Sequence, residues 1–338
     1  MTTERMKTDV AGFPQELTLA LEALLAGWES TQLERDAKTI SENYRIRTGQ
    51  GNRLLTRESE AAAYAAARMP ATFAAAHDAI CQALEASGLV PKTLVDCGAG
   101  TGAATWAAAQ LLELEEITCL EREDAMRSVG STLMHAGDGV LASAQWVSCD
   151  LAAPGQLPKA ELVVEGYMLG ELAEGMRLPV AEKLWNACTQ MLVLIEPGTP
   201  QGFANLAAVR THLAALGAHV AAPCPAGSNA CPMAEGDWCH FSVRVQRSRL
   251  HKALKGGEAP YEDEKYAYLA LTREAPKAAC SARVLRHPLI APGRITLTLC
   301  EAGEKRQRVV TKKDALWKRV RKMSAGDALG DALGDAVP

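Results

Sequence analysis

The chain has no run of eighteen apolar residues, which excludes a membrane-spanning helix. Its first residues, MTTERMKTDVAGF, hold neither an apolar signal core nor an arginine-rich amphipathic presequence. A cytoplasmic protein with no membrane partner is expected. In that compartment structural disulfides are rare. The ten cysteines therefore read as core packing or as metal ligands. Aromatic residues are scarce, at 5%, and alanine is abundant, which favours helices with small contact faces. Aspartate and glutamate are scarce in one place. Residues 241–322 hold twenty Lys+Arg against eight Asp+Glu, and the remainder sixteen against thirty-two. A +12 segment on a −16 body suggests a polyanion partner met by one face. The plainer alternative is a basic segment neutralised by acids in the fold.

What is present begins with helices. Residues 13–48 read as two, the first with Leu17, Leu19, Leu21, Leu24 and Leu25 on its buried side and the second capped by Ser30. A third, alanine-rich helix is expected over 57–87, interrupted at Met69-Pro70. Arg45, Arg47, Arg53 and Arg57 offer contacts to a partner, although a solvated helix face is the commoner reason for any one of them.

The period then changes. Short buried strands at 93–96, 117–120, 145–149, 161–165 and 191–195 alternate with helices, as in a parallel sheet with right-handed crossovers. The first strand runs into Asp96-Cys97-Gly98-Ala99-Gly100-Thr101-Gly102. Gly98, Gly100 and Gly102 permit a tight turn and a close backbone approach to a ligand. Glu121, at the end of the second strand, is placed for ribose hydroxyls, and Asp150, after the third, for an adenine edge. The form D-x-G-x-G-T-G favours S-adenosylmethionine over a nicotinamide. The expected fold is α/β, a class I S-adenosylmethionine methyltransferase-like (Rossmann-like) sheet. Trp106 and the thiols of Cys97, Cys119 and Cys149 read as packing.

After the fourth strand the chain lacks the Asn/Asp-Pro-Pro-aromatic tetrad of amino-methylating enzymes. It also lacks a Pro-Cys nucleophile for cytosine carbon. Glu165, Tyr167 and Glu171 are placed to line the pocket, and no residue claims the chemical step.

Cys224, Cys231 and Cys239 fall within sixteen residues rich in proline and glycine, at spacings C-x6-C and C-x7-C. A loop this long needs something to order it. Three thiolates on one centre would do so. The missing C-x2-C knuckle argues against zinc, and the wide spacing suits a cuboidal iron–sulfur cluster better. The fourth ligand comes from His240, Cys280 or Cys300. Cys300 is preferred because it ends an alternating strand, which holds a ligand rigidly. Next, 241–254 reads as a basic helix, with Arg244, Arg247, Arg249, His251, Lys252 and Lys255 as phosphate contacts. Strands follow at 265–273, 283–290, 294–300 and 306–311, then a basic helix at 314–322. A GDALGDALGDAVP tail is expected to carry no structure.

These segments together resemble the methyltransferase-like proteins of the small ribosomal subunit, found in bacteria and as a mitochondrial assembly factor for that subunit. The carriers are AAAYAAARMPATFAA (61–75), VDCGAGTGAATWAA (95–108), IEPGTPQGF (195–203), the cysteine block with GDWCHFSVRVQRSRLHKALKGG (236–257), YEDEKYAYLAL (261–271) and RVLRHPL (283–289). The resemblance runs from about Tyr44 to Asp327. It implies Cys224, Cys231, Cys239 and Cys300 as ligands of a 4Fe–4S cluster. It also implies binding to small-subunit ribosomal RNA in the assembling subunit. One departure is Ala325-Gly326-Asp327, where the family tends to read Trp-Gly-Asp.

The resulting expectation is a monomer with a helical region at 1–88, a methyltransferase-like domain at 89–222, and a cluster loop, basic helix and strands at 223–322. A structureless tail follows at 323–338. Two rivals stand beside the assembly factor: a working ribosomal RNA methyltransferase, and a zinc-stapled RNA-binding module with an idle cofactor pocket.

Overall fold

The structure is a computed structural model that describes residues 12–47 (side chains of 41–47 excepted), 55–225, 231–233, 236–247, 251–252, 259–277 and 280–329. Helix α1 (Gln15–Leu25) buries Leu17, Leu21 and Leu25 at four-residue steps. Leu19 of the expected buried side faces solvent. α2 spans Ser30–Arg47. Its Asp36 is buried and pairs with Arg57 at 2.8 Å.

The third helix corrects the sequence reading. α3 runs unbroken from Glu58 to Ser87 through Pro70 and ends at Gly88 in the left-handed conformation. A proline inside a helix removes one backbone bond and crowds the preceding turn. Here Met69, Ala71 and Phe73 are buried beside it, with buried alanines at 65–67 and 74–76 on either side, and α3 packs on α2, α4, α5 and β8. Tertiary burial outweighs the local cost.

β1 (Thr93–Cys97), β2 (Glu116–Glu121), β3 (Gln145–Ser148), β4 (Ala160–Gly166) and β5 (Cys188–Pro197) pair in parallel. α4 (Ala103–Ala109), α5 (Asp124–Met134), α6 (Glu174–Ala187) and α7 (Pro200–Ala215) join or follow them. α5 has no counterpart in the sequence reading. Met191 to Ile195 are all 0% exposed. Burial of such side chains contributes about 1.5–3 kcal/mol each. β6 (His219–Ala222) follows α7 and leads to the cis Ala222–Pro223 bond.

The basic helix expected over 241–254 is instead strand β7 over Phe241–Gln246. Phe241, Val243 and Val245 are buried, and Ser242, Arg244 and Gln246 point out. Alternation of β-branched and aromatic residues decides this segment. The three- and four-residue spacing of its cations reflects nothing in the backbone. His251 and Lys252 are helical. Arg249 and Lys255 lie outside the described residues, as does Arg53.

β8 (Tyr261–Thr272) runs antiparallel. Its second half inserts between β5 and β6, and its first half pairs with β7. The sheet order is β3-β2-β1-β4-β5-β8-β6. A parallel core that reverses between β1 and β4 and closes on one antiparallel strand is the class I S-adenosylmethionine methyltransferase-like fold. Ligands in open α/β sheets sit outside the strand ends at that reversal.

A second sheet follows, with β9 (Ala282–Val284), β10 (Leu289–Ala291), β11 (Arg294–Glu301), β12 (Glu304–Thr311) and β13 (Ala328–Leu329). Its core is Ala282, Val284, Ile295, Leu297, Leu299, Val310, Val320 and Leu329. α8 (Trp317–Val320) is shorter than the helix expected at 314–322. β13 corrects the expected structureless tail, because Leu329 pairs with Ala282 and is buried in that core. Residues 330–338 lie outside the described residues.

Candidate functional site: a glycine-loop cleft and a cysteine cavity

At the reversal point, a cleft with about 750 Å³ of empty space is lined by Gly98, Gly100, Glu121, Glu123, Met126, Asp150, Tyr167, Met168 and Glu171, among others. Gly98 and Gly100 are left-handed, at φ +73° and +56°. A Cβ on Gly98 would sit 3.1 Å from Met168 Cγ. Gly98 and Ala99 N–H groups donate to the Leu120 carbonyl at 2.8 and 3.0 Å, which pins the loop to β2. Glu121 is fixed by the same loop. Its Oε2 accepts from Gly100 N at 2.9 Å and its Oε1 from Glu123 N at 2.8 Å. Each oxygen keeps a lone pair for a ligand hydroxyl. Asp150 is exposed at the cleft edge and accepts from Ala152 N at 3.0 Å.

Asp96 and Gly102 are elsewhere. Asp96 is buried beneath α4, where Oδ2 accepts from Thr105 N at 3.1 Å and Thr105 Oγ1 at 2.7 Å. Burial pushes its pKa up to about 6, against the two Thr105 bonds. Gly102 packs on α5, where a Cβ would come 2.4 Å from Met134 Cε. These two residues hold the loop from behind.

The segment after β4 is built on buried acids. Tyr167 lines the cleft at φ +65°, unusual for a bulky residue. Its hydroxyl donates to Glu264 Oε1 at 3.1 Å, and Arg68 grips the same carboxylate at 3.1 and 3.4 Å. Glu171 also lines the cleft, whereas Glu165 does not. Glu165 is fully buried and accepts from Met168 N at 2.6 Å and Leu169 N at 3.1 Å. Glu196, at the end of β5, accepts from Gly170 N at 3.3 Å and Asn205 Nδ2 at 3.0 Å. Burial raises the pKa of both acids, Glu196 to about 7, and their mutual repulsion adds to the rise at Glu165. The two carboxyls together shape the 168–170 backbone.

Cys224, Cys231, Cys239 and Cys300 all line a second cavity, with about 620 Å³ of empty space, among Phe203, Leu206, Arg210, Tyr268, Arg283 and other residues. Neither His240 nor Cys280 lines it. All four thiols are free. Burial pushes Cys300 up to about 12 and Cys239 higher still, and in both the neighbouring cysteines add to the rise. Among the described residues, no three His, Cys, Asp or Glu side chains are arranged to hold a metal ion as they stand.

The cavity lies between the two sheets, and its walls are tied to both. Trp238 Nε1 donates to the Gly198 carbonyl beyond β5 at 3.0 Å. Asp237 pairs with Arg286 and with Lys305 of β12. Arg283, 3% exposed, donates to the Pro223 carbonyl at 2.8 Å, to the Gly326 carbonyl at 2.9 Å and to Gln82 of α3. Sequence reasoning did not single out Arg283, Glu196 or the Arg68–Glu264–Tyr167 contact. Arg283, Glu196, Glu264 and Arg68 lie within the quoted segments RVLRHPL, IEPGTPQGF, YEDEKYAYLAL and AAAYAAARMPATFAA, and Tyr167 is expected at the pocket wall without its partners.

Of the expected phosphate contacts, Arg244 forks onto Asp263 at 2.8 and 3.2 Å and covers the Tyr261 ring. Arg247 pairs with Glu262 at 2.9 Å. His251 is 1% exposed, 3.4 Å from the same acid, and Lys252 is half-buried.

The sequence profile of the family described as "Mitochondrial small ribosomal subunit Rsm22" matches residues 58–330, and the chain belongs to that family. The human "Ribosome assembly protein METTL17, mitochondrial" is 28% identical over 303 residues, 81% of this chain. The match spans 63% of that relative's length. Among solved structures, a magnesium protoporphyrin IX methyltransferase from Synechocystis with bound S-adenosylmethionine aligns at TM-score 0.39 and 14% identity, over 71% of this chain and 97% of its own. A precorrin-6y C5,15-methyltransferase from Geobacter metallireducens aligns at 0.37 and 17%, over 56% and 84%. Both scores fall below 0.5, and it is the strand order that defines the fold.

Proposed function

We propose that this chain is an assembly factor of the small ribosomal subunit. In this reading it binds the subunit's ribosomal RNA, takes S-adenosylmethionine in the glycine-loop cleft, and holds a 4Fe–4S cluster on Cys224, Cys231, Cys239 and Cys300. Family membership supports the assembly role. The observation that carries the cluster is the convergence of four free thiols, from the β6–β7 loop and from β11, on one cavity. Four sulfurs with no acid or histidine among them suit iron–sulfur chemistry or zinc. Burial raises the pKa of the Cys224 thiol, and the Arg210 and Arg283 guanidiniums oppose that rise. A bound cluster supplies a rigid four-sulfur crosslink. The chain's own part is to present Cys224 just after β6, Cys239 just before β7 and Cys300 on β11, so that ligation fastens the second sheet to the first.

The cleft fits the cofactor by its shape and charge. Side chains on Gly98 or Gly100 would meet Met168 or Met126, so the backbone there stays open to a ligand. Glu121 has acceptor capacity for a ribose diol, and Glu123, Asp150 and Glu171 add negative charge suited to a sulfonium. A second reading, an active ribosomal RNA methyltransferase, draws on Tyr167. A bulky residue held at positive φ on the cleft wall is strain of the kind stored at functional sites.

Anaerobic purification tests the proposal. A brown protein with about four iron and four sulfide per chain is expected, with colour lost in Cys300→Ala and Cys231→Ala. A colourless protein with one stoichiometric zinc would sink the cluster and leave the zinc-stapled module. Co-sedimentation of the chain with small-subunit precursors on sucrose gradients is expected, and its absence would remove the assembly role.

A further inference from the structure

The cations of the C-terminal third divide by what they touch. On β7, Arg244 and Arg247 are matched by Asp263 and Glu262 at the start of β8. The basic segment there is neutralised within the fold. Residues 294–322 differ, with ten Lys+Arg against three Asp+Glu. Lys305 and Arg306 are taken up by Asp237 and Glu304. Arg319 reaches the Ala328 carbonyl, and Arg308 acts on Asp314. Arg294, Lys312, Lys313, Lys318 and Arg321 are exposed and form no ion pair among the described residues.

The topology gathers these five at one corner. Arg294 lies opposite Thr311 across the β11–β12 pair. Lys312 N–H donates to the Gly293 carbonyl at 3.2 Å. α8 follows, and it turns Val320 into the small core at 1% exposure. Lys318 and Arg321, on either side of Val320, face solvent. Like charges held this close repel one another, which costs free energy in the isolated chain unless a polyanion offsets it.

We infer that this corner docks the phosphate backbone of a helical RNA segment. This rests on the ribosomal RNA reading above and assigns its face. Among the described residues the corner has cations but no exposed ring. The outer row of the sheet is Leu289, Thr296 and Val309, and Trp317 packs against the small core. Unpaired bases are held by stacking on aromatic side chains, whereas paired RNA presents phosphates that cations alone can hold.

The test uses the full-length chain, purified anaerobically, with refolded small-subunit ribosomal RNA. Poly(A)·poly(U) duplex and poly(U) serve as competitors. In the quadruple variant Lys312→Gln/Lys313→Gln/Lys318→Gln/Arg321→Gln, affinity at about 0.1 M salt falls at least about tenfold, and the slope of log K against log salt becomes shallower by about 3. The thermal transition stays put, since all four side chains are exposed. Arg244→Gln/Arg247→Gln leaves affinity and slope near wild type. The duplex displaces the RNA at lower phosphate concentration than poly(U). An unmoved slope in the quadruple variant, equal competition by poly(U), or loss confined to the β7 pair would overturn the assignment. So would a quadruple variant that keeps the RNA but no longer retains ribosomal proteins, which would make the corner a protein-docking face. A wild-type chain that binds no RNA would remove the ribosomal RNA reading itself.

Discussion

In the glycine-loop cleft, the polar groups on the wall and directly behind it are already held by hydrogen bonds. Glu121 is bonded to the glycine loop, Asp96 to the helix behind it, and Glu165 and Glu196 to the backbone after β4. In the cysteine cavity the framing groups are thiols, weak donors that do not order a loop by themselves. The strong bonds there belong to the walls, to Arg283, Asp237 and Trp238. One site is therefore rigid through its own polar bonds, and the other depends on its surroundings until four sulfurs share a centre. Changes at the cavity wall should then cost more, and reach further, than changes at the cleft.

The largest expected effect is at Arg283. It satisfies two backbone carbonyls and Gln82 in a place water does not reach. Gln82 also accepts from Tyr268 and bonds to Asp78. Arg283→Met leaves the Pro223 and Gly326 carbonyls unpaired at about 1–3 kcal/mol each and leaves Gln82 with the Tyr268 hydroxyl as its remaining donor, so a loss of about 3–5 kcal/mol is expected from urea unfolding. Arg283→Lys should recover only part of it, since an ammonium cannot reproduce the fork. An unchanged unfolding midpoint in Arg283→Met would erase the distinction between the two sites.

The cleft side was the more legible in the sequence, for a physical reason. The loop Gly98–Gly102, the acid Glu121 and the strands around them are neighbours in the chain, and their pattern is set by backbone conformation and hydrogen bonding within one βαβ unit. The cavity depends on Cys300 and Arg283 meeting a loop some sixty residues away, which only the pairing of β9 and β11 brings about. Cys300 was legible because it ends an alternating strand. Arg283 resembled any surface arginine, because nothing local marks a buried guanidinium. In β7, cation spacing competed with a Phe-Val-Val alternation, and burial of the apolar face decided the outcome. The Glu165–Glu196 arrangement joins the ends of two strands and was not legible either.

That acid pair gives a smaller, pH-dependent contrast. The folded-state pKa of Glu196 is raised to about 7 from the ordinary 4.5, mainly by burial. Between those values the folded chain keeps a proton that the unfolded chain has lost. Stability therefore falls as pH rises through that window and levels off above it. Over pH 5 to 8 the loss from this group is on the order of 2 kcal/mol. Glu196→Gln should make the decline shallower than in wild type over that range, with the raised Glu165 and Asp96 supplying what remains, read as thermal transitions in matched buffers. Parallel profiles for the two proteins would show that the buried pair does not set the pH response of the cleft.

The smallest effect is expected at Glu121, where it is the kind of effect that matters. Glutamine keeps the length of the side chain but offers one acceptor oxygen instead of two, so one of the Gly100 and Glu123 N–H groups loses its partner. The cost is about 1 kcal/mol, because the cleft is open and water can reach the orphaned group. Fluorescence or calorimetric titration with S-adenosylmethionine should show a larger change than the unfolding curve does, since the same oxygens are the acceptors for a ribose diol. If Glu121→Gln bound the cofactor as wild type does, the carboxylate would serve only to tie the glycine loop to β2. The cleft would then be rigid for the sake of the fold, and its contrast with the cysteine cavity would be one of construction alone.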